Sequence, residues 1–500
     1  MQVDYVIVQA GGKGTRMDYL TINKPKALVP IDNLPMLFHL FRKYPDKKYI
    51  IIGDYKFEAL SKYLKAFADV EYKLINSDGY HGTCAGLKQS LDCIPDNKAF
   101  MLIWSDLILP DEYKMPDDNA NYIGISKDFC CRWSYESNTF IENPSNEHGV
   151  AGQFIFTDKK IINNIPFTGE FVCWLRDQGI VFKELPLYKT KEYGLLSEYN
   201  KLEVQKCRPF NRLYIDGDII VKEGIDEQGR ALAVREKAWY EKLKDRNFKN
   251  IPQIYSFEPL KMERIIGKNI YEYTDISYDQ KKEILKQIID CLHEVQNLEM
   301  IPSDKNSYEI AYIDKTFDRL QKVRDLVPFA NDEFILINGR QCRNVFYHET
   351  ELKDKVNKYL PKKFKLLHGD CTFSNILLKN DSIPMLIDPR GYFGVTELYG
   401  DAAYDWAKLY YSIVGNYDQF NLKRFRLEIR NNEIELCIES SGWEDMENEF
   451  FTLLNGEVSK EQIKILHSII WLSLTTYAWE DYDSICGAFY NGIYYLEEVL

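Results

Sequence analysis

Two stretches of this chain carry residue types that phosphate chemistry requires. The first reads Gln9-Ala10-Gly11-Gly12-Lys13-Gly14-Thr15-Arg16-Met17, followed by Lys24-Pro25-Lys26. Glycines placed after an apolar run let backbone N–H groups approach phosphate oxygens closely. Arg16 and Lys26 supply charge that can neutralise what develops on a triphosphate during attack at its α-phosphorus. A bare strand-to-helix turn with surface cations would also use glycines. The whole string G-G-x-G-T-R with a later P-K is far more specific. The second stretch reads His368-Gly369-Asp370-Cys371-Thr372-Phe373-Ser374-Asn375, followed by Ile387-Asp388-Pro389-Arg390-Gly391. Phosphoryl transfer to a hydroxyl needs a carboxylate to orient and deprotonate it, and oxygen ligands to hold Mg²⁺ on the nucleotide. Asp370 suits the first task, and Asn375 and Asp388 the second. The structural alternatives are a core histidine at His368 and a loop cap at Asp370.

Each stretch needs elements to position it. Residues 4–9 read as a buried strand that Gly11 and Gly12 stop. Further apolar runs at 49–52, 70–75 and 99–104 alternate with helical spacing at 34–43, 56–67 and 83–92. That alternation predicts an α/β layer with a mostly parallel sheet, whose ligands sit beyond the C-terminal strand ends. The rhythm changes near residues 200–210, with Lys206-Cys207-Arg208-Pro209 as the junction. Asp216-Gly217 between two apolar runs predicts a hairpin. Helical periodicity then covers 232–243, 278–297 and most of 397–500. The expected domains are 1–205 and 206–500, the latter with a small β-rich lobe over about 206–275 and a helical lobe over 276–500.

The bulk numbers exclude several classes. The chain has 500 residues, 45% hydrophobic and 28% charged, and a net charge of −13. That length implies more than one domain. The acidic balance argues against nucleic acid or an anionic membrane as partner, since both need a basic surface. The eleven cysteines show no CxxC pair and no zinc spacing, which fits reduced thiols and a cytoplasmic location. No run of about 18 apolar residues predicts a membrane span.

Residues 1–205 resemble the Rossmann-like nucleotidyltransferases that activate sugar 1-phosphates or phosphocholine with a nucleoside triphosphate. The resemblance implies that Gly11, Gly12, Gly14, Thr15 and Arg16 hold the triphosphate and that Lys26 contacts its phosphates. It also places Gly82-Thr83 near the nucleobase and makes Asp106 a Mg²⁺ ligand; a turn cap is the alternative for Asp106. The family's second metal carboxylate sits in a D-x-G element, where this chain has Glu192-Tyr193-Gly194. Glu192 is therefore a metal ligand only if a longer side chain replaces the usual Asp. Glu170 reads as a substrate-contact or structural carboxylate.

Residues 208–500 resemble the aminoglycoside-phosphotransferase and choline-kinase family, a branch of the protein-kinase-like fold. The resemblance makes Asp370 the catalytic base and Asn375 and Asp388 the metal ligands. Lys222 becomes the phosphate-binding lysine, paired with Glu236, and Leu260–Glu263 the hinge that meets adenine; a plain edge strand is the alternative for Glu263. Asp401 and Asp405 brace the catalytic loop. The departures are the missing G-x-G-x-x-G before Lys222, where Arg208–Asn211 and Asp216-Gly217 stand instead, and the Asp388-Pro389-Arg390-Gly391 ending. Trp471, Tyr477, Trp479 and Tyr482 could cage a cationic ligand, or could simply be core.

Together the two resemblances imply a bifunctional enzyme. ATP would phosphorylate a small hydroxyl compound, and CTP or another NTP would then be joined to the product with release of pyrophosphate, both steps using Mg²⁺. A sugar destined for surface polysaccharide is the first choice of acceptor. A choline- or ethanolamine-type amino alcohol is the alternative, and a non-catalytic nucleotide-binding module in one half is another.

Overall fold

The computed structural model describes residues 2–202 and 211–500. The predicted junction Lys206–Pro209 and the segment Arg208–Phe210 lie outside them. The chain forms two compact units, Met1–Glu203 with Glu480–Asp483, and Val204–Trp479 with Ser484–Leu500.

In the first unit the strand Val3–Gln9 lies between Lys48–Gly53 and Ala99–Trp104, parallel to both. Lys48–Gly53 continues the parallel order to Tyr72–Asn76. Beyond Ala99–Trp104 the sheet turns antiparallel through Gly149–Phe156 and Tyr122–Ser126. Val6, Ile7 and Val8 are fully buried, as a strand covered on both faces requires. The helices Met36–Lys43, Phe57–Phe67 and Leu87–Asp92 are those the spacing predicts, the last one shorter. Residues Gly82–Gly86 form a turn because Gly82 and Gly86 both take positive φ, 84° and 75°. The core joins Ile7, Ile50, Phe100, Leu102, Phe154 and Phe171. Truncating a buried Phe such as Phe154 to Ala would cost about 3–5 kcal/mol.

The second unit begins with a four-stranded antiparallel sheet in the order Asn211–Asp216, Ile219–Gly224, Leu260–Glu263, Ile254–Phe257. The hairpin forms one residue later than Asp216-Gly217 suggests. Asp216 pairs with Ile219, so Gly217-Asp218 is the loop, with Gly217 at φ 61°. The helix Glu227–Asp245 follows, capped by Asp226, whose carboxylate accepts from the Gly229 N–H at 2.8 Å. A capping box of Ser277 and Gln280 opens the helix Tyr278–Asn297. The long helices Ala402–Ile413 and Lys460–Leu474 are largely buried.

Two departures from expectation have clear causes. Residues 425–438 form a hairpin, Phe425–Ile429 with Ile434–Ile438, inside the stretch expected to be helical. Phe425, Leu427 and Ile429 alternate with Arg426 and Glu428, a period of two that a broad helical reading overruns. Leu260–Glu263 is an interior strand, not an edge, since it pairs on both sides. No helix among the described residues is long and apolar enough to cross a membrane.

Candidate active sites

The first site forms where the parallel strands end. Gly11 follows the first strand, and a Cβ there would lie 2.8 Å from Asp54, so only glycine fits. Gly12 faces open space: a Cβ there would meet nothing within 4 Å, which leaves room for a ligand against the backbone. The Lys26 N–H donates to the Gly12 carbonyl at 3.3 Å, fixing the P-K segment against the loop. Thr15 and Arg16 are exposed. Lys24 is used structurally: it is buried and its ammonium lies 3.1 Å from Asp481 and also pairs with Asp483. Gln9 Nε2 donates to the Thr83 carbonyl at 2.7 Å, which ties the Gly82-Thr83 turn to the end of the first strand. Thr83 Oγ1 donates to Glu170 at 3.3 Å and accepts from the Phe171 N–H at 2.8 Å. Glu170 thus supports Thr83.

Asp106 and Glu192 meet through backbone pairing. Lys191–Glu192 lies antiparallel to Leu107–Ile108, with Glu192 opposite Leu107. The Tyr193 N–H then donates to the Asp106 carbonyl at 3.2 Å. The Lys26 ammonium forms an ion pair with the Asp106 carboxylate. A side chain at Gly194 would collide with the Glu192 carboxylate and come within 3.3 Å of Arg16 Nη2, so Glu192 and Arg16 share that space. Burial and the negative charge of Asp106 raise the Glu192 pKa, while Lys26 and Arg16 partly oppose them. Two cations and two carboxylates therefore stand together. Mg²⁺ is commonly held by one or two carboxylates plus phosphate oxygens, and this oxygen pair fits it.

The second site gathers residues from distant parts of its unit. Lys222 Nζ lies 2.8 Å from Glu236 and 2.7 Å from Asp388. Burial lowers the Lys222 pKa, but the charges of Asp388 and Glu236 outweigh it and raise the net value. Asp388 has φ 54°, a left-handed backbone that Asp tolerates better than most residues and that tends to mark functional positions. The Ile387 N–H donates to the Asn375 carbonyl at 3.0 Å, so Asn375 and Asp388 are neighbours. Asn375 Nδ2 donates to the Asp370 carbonyl at 2.8 Å and to its carboxylate at 3.1 Å. Asn375 and Asp388 are hard oxygen donors of the kind Mg²⁺ takes.

The loop around Asp370 is held from beneath. Buried Asp405 accepts from the His368 and Gly369 N–H groups at 3.1 and 2.7 Å. Its burial raises its pKa to about 6 despite those bonds. His368 is core, fully buried, and burial lowers its pKa to about 4. Asp401 caps Ala402–Ile413 and accepts from the Tyr312 hydroxyl at 2.9 Å. Glu263 accepts from Lys379 at 2.6 Å and from the Gln253 N–H at 3.2 Å, and its own N–H donates to the Gln253 carbonyl at 2.8 Å, so its side chain and its N–H are both engaged.

Sequence reasoning missed Lys408, whose ammonium lies 3.0 Å from Asp370. Burial alone would raise the Asp370 pKa, but Lys408 outweighs it and holds the carboxyl below its usual range. The signal was available: Lys408 lies seven residues after Asp401, on the helix that braces the loop. Of the four aromatics that could have formed a cage, Trp471 and Tyr482 are core. Trp471 is fully buried, its Nε1 donating to His467 at 2.9 Å, while Tyr477 lies 5.9 Å from the Arg319 guanidinium.

Known proteins match the part of the chain that carries the first of these sites. The family model described as nucleotidyl transferase matches residues 5–121. The probable glucose-1-phosphate cytidylyltransferase of Bacillus subtilis is 36% identical over 232 residues, 39% of this chain and 86% of that protein. The bifunctional protein GlmU of Methanococcus maripaludis is 28% identical over 203 residues, 40% of this chain, and the chain spans 44% of that relative's length. The crystal structure of HddC from Yersinia pseudotuberculosis aligns over 39% of this chain and 96% of its own, at 22% identity and a TM-score of 0.34. Through its N-terminal part, this chain belongs to the nucleotidyl transferase family.

Proposed function

We propose that the chain is a bifunctional enzyme that makes a nucleotide-activated sugar in two steps. In the second unit an acceptor hydroxyl attacks the γ-phosphorus of ATP. Its proton passes to Asp370, the bond to the β-phosphate oxygen breaks, and ADP leaves. In the first unit an oxygen of the new phosphate ester attacks the α-phosphorus of CTP or another NTP, and pyrophosphate leaves. The phosphate oxygen is the nucleophile, so no covalent enzyme intermediate is needed. Gly11, Gly12, Gly14 and Thr15 would cradle the triphosphate, with Arg16 and Lys26 offsetting charge at the reacting phosphorus. Asp106 and Glu192 in one unit, and Asn375 and Asp388 in the other, would hold Mg²⁺, which screens phosphate charge.

The transfer half is supported by the family membership and by the convergence of Arg16, Lys26, Asp106 and Glu192. The name of the Bacillus subtilis relative favours a sugar 1-phosphate and CTP. The phosphorylation half is carried by one observation. Lys222, Glu236 and Asp388 form one ionic triad, while Asn375 reaches Asp370, which supports reading Lys222 as a phosphate contact, Asn375 and Asp388 as metal donors and Asp370 as the base.

Incubation with ATP, CTP, UTP and GTP plus a panel of sugars and amino alcohols, read by mass spectrometry, tests both halves. The expected products are ADP, pyrophosphate and one nucleotide sugar. Pyrophosphate absent with every supplied phosphate ester would reject the transfer half. ADP formation that survives Asp370→Asn would reject the phosphorylation half.

A further inference from the structure

Glu480–Asp483 belongs to the first unit, although the chain on either side of it belongs to the second. Within the first unit it meets the two residues before Pro25. The Asp483 carboxylate uses both of its oxygens there: Oδ1 accepts from Asn23 Nδ2 at 3.0 Å, and Oδ2 pairs with the Lys24 ammonium. Asp481 Oδ1 lies 3.1 Å from the same ammonium. Asn23 and Lys24, consecutive in sequence, are thus tied to one short acidic stretch. Lysine is almost never fully buried unless it is paired. Lys24 is only 1% exposed, and Asp481 and Asp483 are buried with it. Burial alone would lower the Lys24 pKa, but the charges of Asp481 and Asp483 outweigh it and keep the ammonium charged.

One residue separates this anchor from Lys26. Pro25 has its φ fixed by its ring, here at −70°, so it transmits a shift of Lys24 with little slack. Beyond it the Lys26 N–H donates to the Gly12 carbonyl at 3.3 Å, and the Lys26 ammonium pairs with Asp106. Ahead of it the Tyr55 hydroxyl donates to the Thr21 carbonyl at 3.0 Å, and Thr21 Oγ1 donates to the Gly14 carbonyl at 3.2 Å. Residues 21–26 therefore run along the glycine loop, attached at Gly14 and at Gly12, with Lys24 anchored between those attachments.

Resting on the transfer reading above, we propose that Asp481 and Asp483 are positioning residues for nucleotidyl transfer. Through Asn23 and Lys24 they hold the P-K segment so that Lys26 meets the phosphates of the bound triphosphate. The site then depends on an acid 457 positions after the lysine it holds, and residues 1–203 alone would lack both carboxylates. Removing the two charges leaves a buried ammonium without the carboxylates that face it. The segment then shifts to bring Lys24 to water and carries Lys26 with it.

The test uses the full chain with Mg²⁺, CTP and glucose 1-phosphate. It compares the wild type, the double variant Asp481→Asn with Asp483→Asn, and that double variant carrying Lys24→Met. In the double variant kcat for pyrophosphate release should fall by about tenfold or more while KM for CTP changes by less than about threefold, because a misplaced Lys26 costs most in the transition state. Lys24→Met removes the cation that the double variant leaves unbalanced, and it should bring kcat back to within about threefold of wild type. Amide hydrogen exchange separates positioning from a general loss of fold. Residues 26–29 should exchange faster in the double variant, while Val3–Gln9 keeps its protection. An unchanged kcat, a loss that Lys24→Met leaves in place, or faster exchange in Val3–Gln9 as well overturns the proposal. Wild-type protein that releases no pyrophosphate would count against the transfer reading. Exchange at residues 26–29 would then decide alone, and no change there would overturn the anchor.

Discussion

Arg16 and Lys26 in the first unit stand beside two carboxylates, Asp106 and Glu192, whereas in the second unit Lys408 pairs with Asp370 and Lys222 with both Glu236 and Asp388. The first site is balanced before any substrate arrives, and a magnesium–triphosphate complex would still bring net negative charge to it. In the second, each of these acids already has a lysine partner, and Lys408 holds the Asp370 carboxyl below its usual range. The supports differ too. The glycine loop is a short exposed segment at the end of one buried strand. Asp370 sits on a loop bonded to the helix Ala402–Ile413 through Asp405 and Lys408, and to the turn Phe373–Asn375 through Asn375. An exposed loop can adjust around phosphate, while a bonded loop holds one carboxylate in one place.

The largest test of that contrast is Asp370→Asn. It removes the proposed base while keeping its size, and it should lower ADP formation by roughly 10²–10⁴-fold. Pyrophosphate release from a supplied sugar phosphate should stay unchanged. Loss of both activities would show that the two sites do not act independently. Next comes Lys222→Met, which strands buried Glu236 with no counter-ion. Breaking a buried pair this way costs about 3–5 kcal/mol, so denaturant unfolding should shift strongly. The double change Lys222→Met with Glu236→Leu should recover most of that loss.

The matching change in the first unit is Lys26→Met. It should slow pyrophosphate release by about 10²–10³-fold, the usual penalty for losing a donor to developing charge. Its stability cost should be much smaller than that of Lys222→Met. Asp106, left behind, borders the open end of the sheet and can be reached by water. Equal destabilisation by the two substitutions would erase the distinction between an open and an enclosed site.

The sequence made these sites legible to different depths. Strand Val3–Gln9 and its glycine loop are contiguous, so spacing alone placed Gly11, Gly12, Gly14, Arg16 and Lys26 together. Asp106 and Glu192 are separated by 86 positions, and only the pairing of Leu107 with Glu192 brings them side by side. Lys222, Glu236 and Asp388 were readable because each sits in a motif. Lys408 was readable only from its place on the helix after Asp401, because a cation on an amphipathic helix otherwise looks like any solvated residue until packing encloses it. The hairpin 425–438 escaped for a related reason: alternating residues within a long helical stretch are outweighed by their surroundings.

The smallest effect concerns pH and belongs to the second unit. Burial lowers His368 to about 4 and His467 to about 3, so both are neutral when folded at pH 7. In the unfolded chain each takes a proton below about 6.5. The unfolded state then binds more protons, so this part of the stability is full above pH 6.5 and declines as pH falls. Asp401 and Asp405 act in the opposite sense, since burial raises both to about 6. Below that pH the folded state holds two protons on them that the unfolded state releases down to about 3.9. The decline should therefore amount to about 1 kcal/mol between pH 7 and 6 and then level off, two histidine protons against two carboxyl protons. Amide exchange in Lys460–Leu474 at pH 7, 6 and 5 would read it. His467→Gln keeps an acceptor for Trp471 Nε1 but removes one titrating group. With that substitution the level stretch should become a rise toward low pH, and a profile unchanged from wild type would mean that His467 takes up its proton in the folded chain.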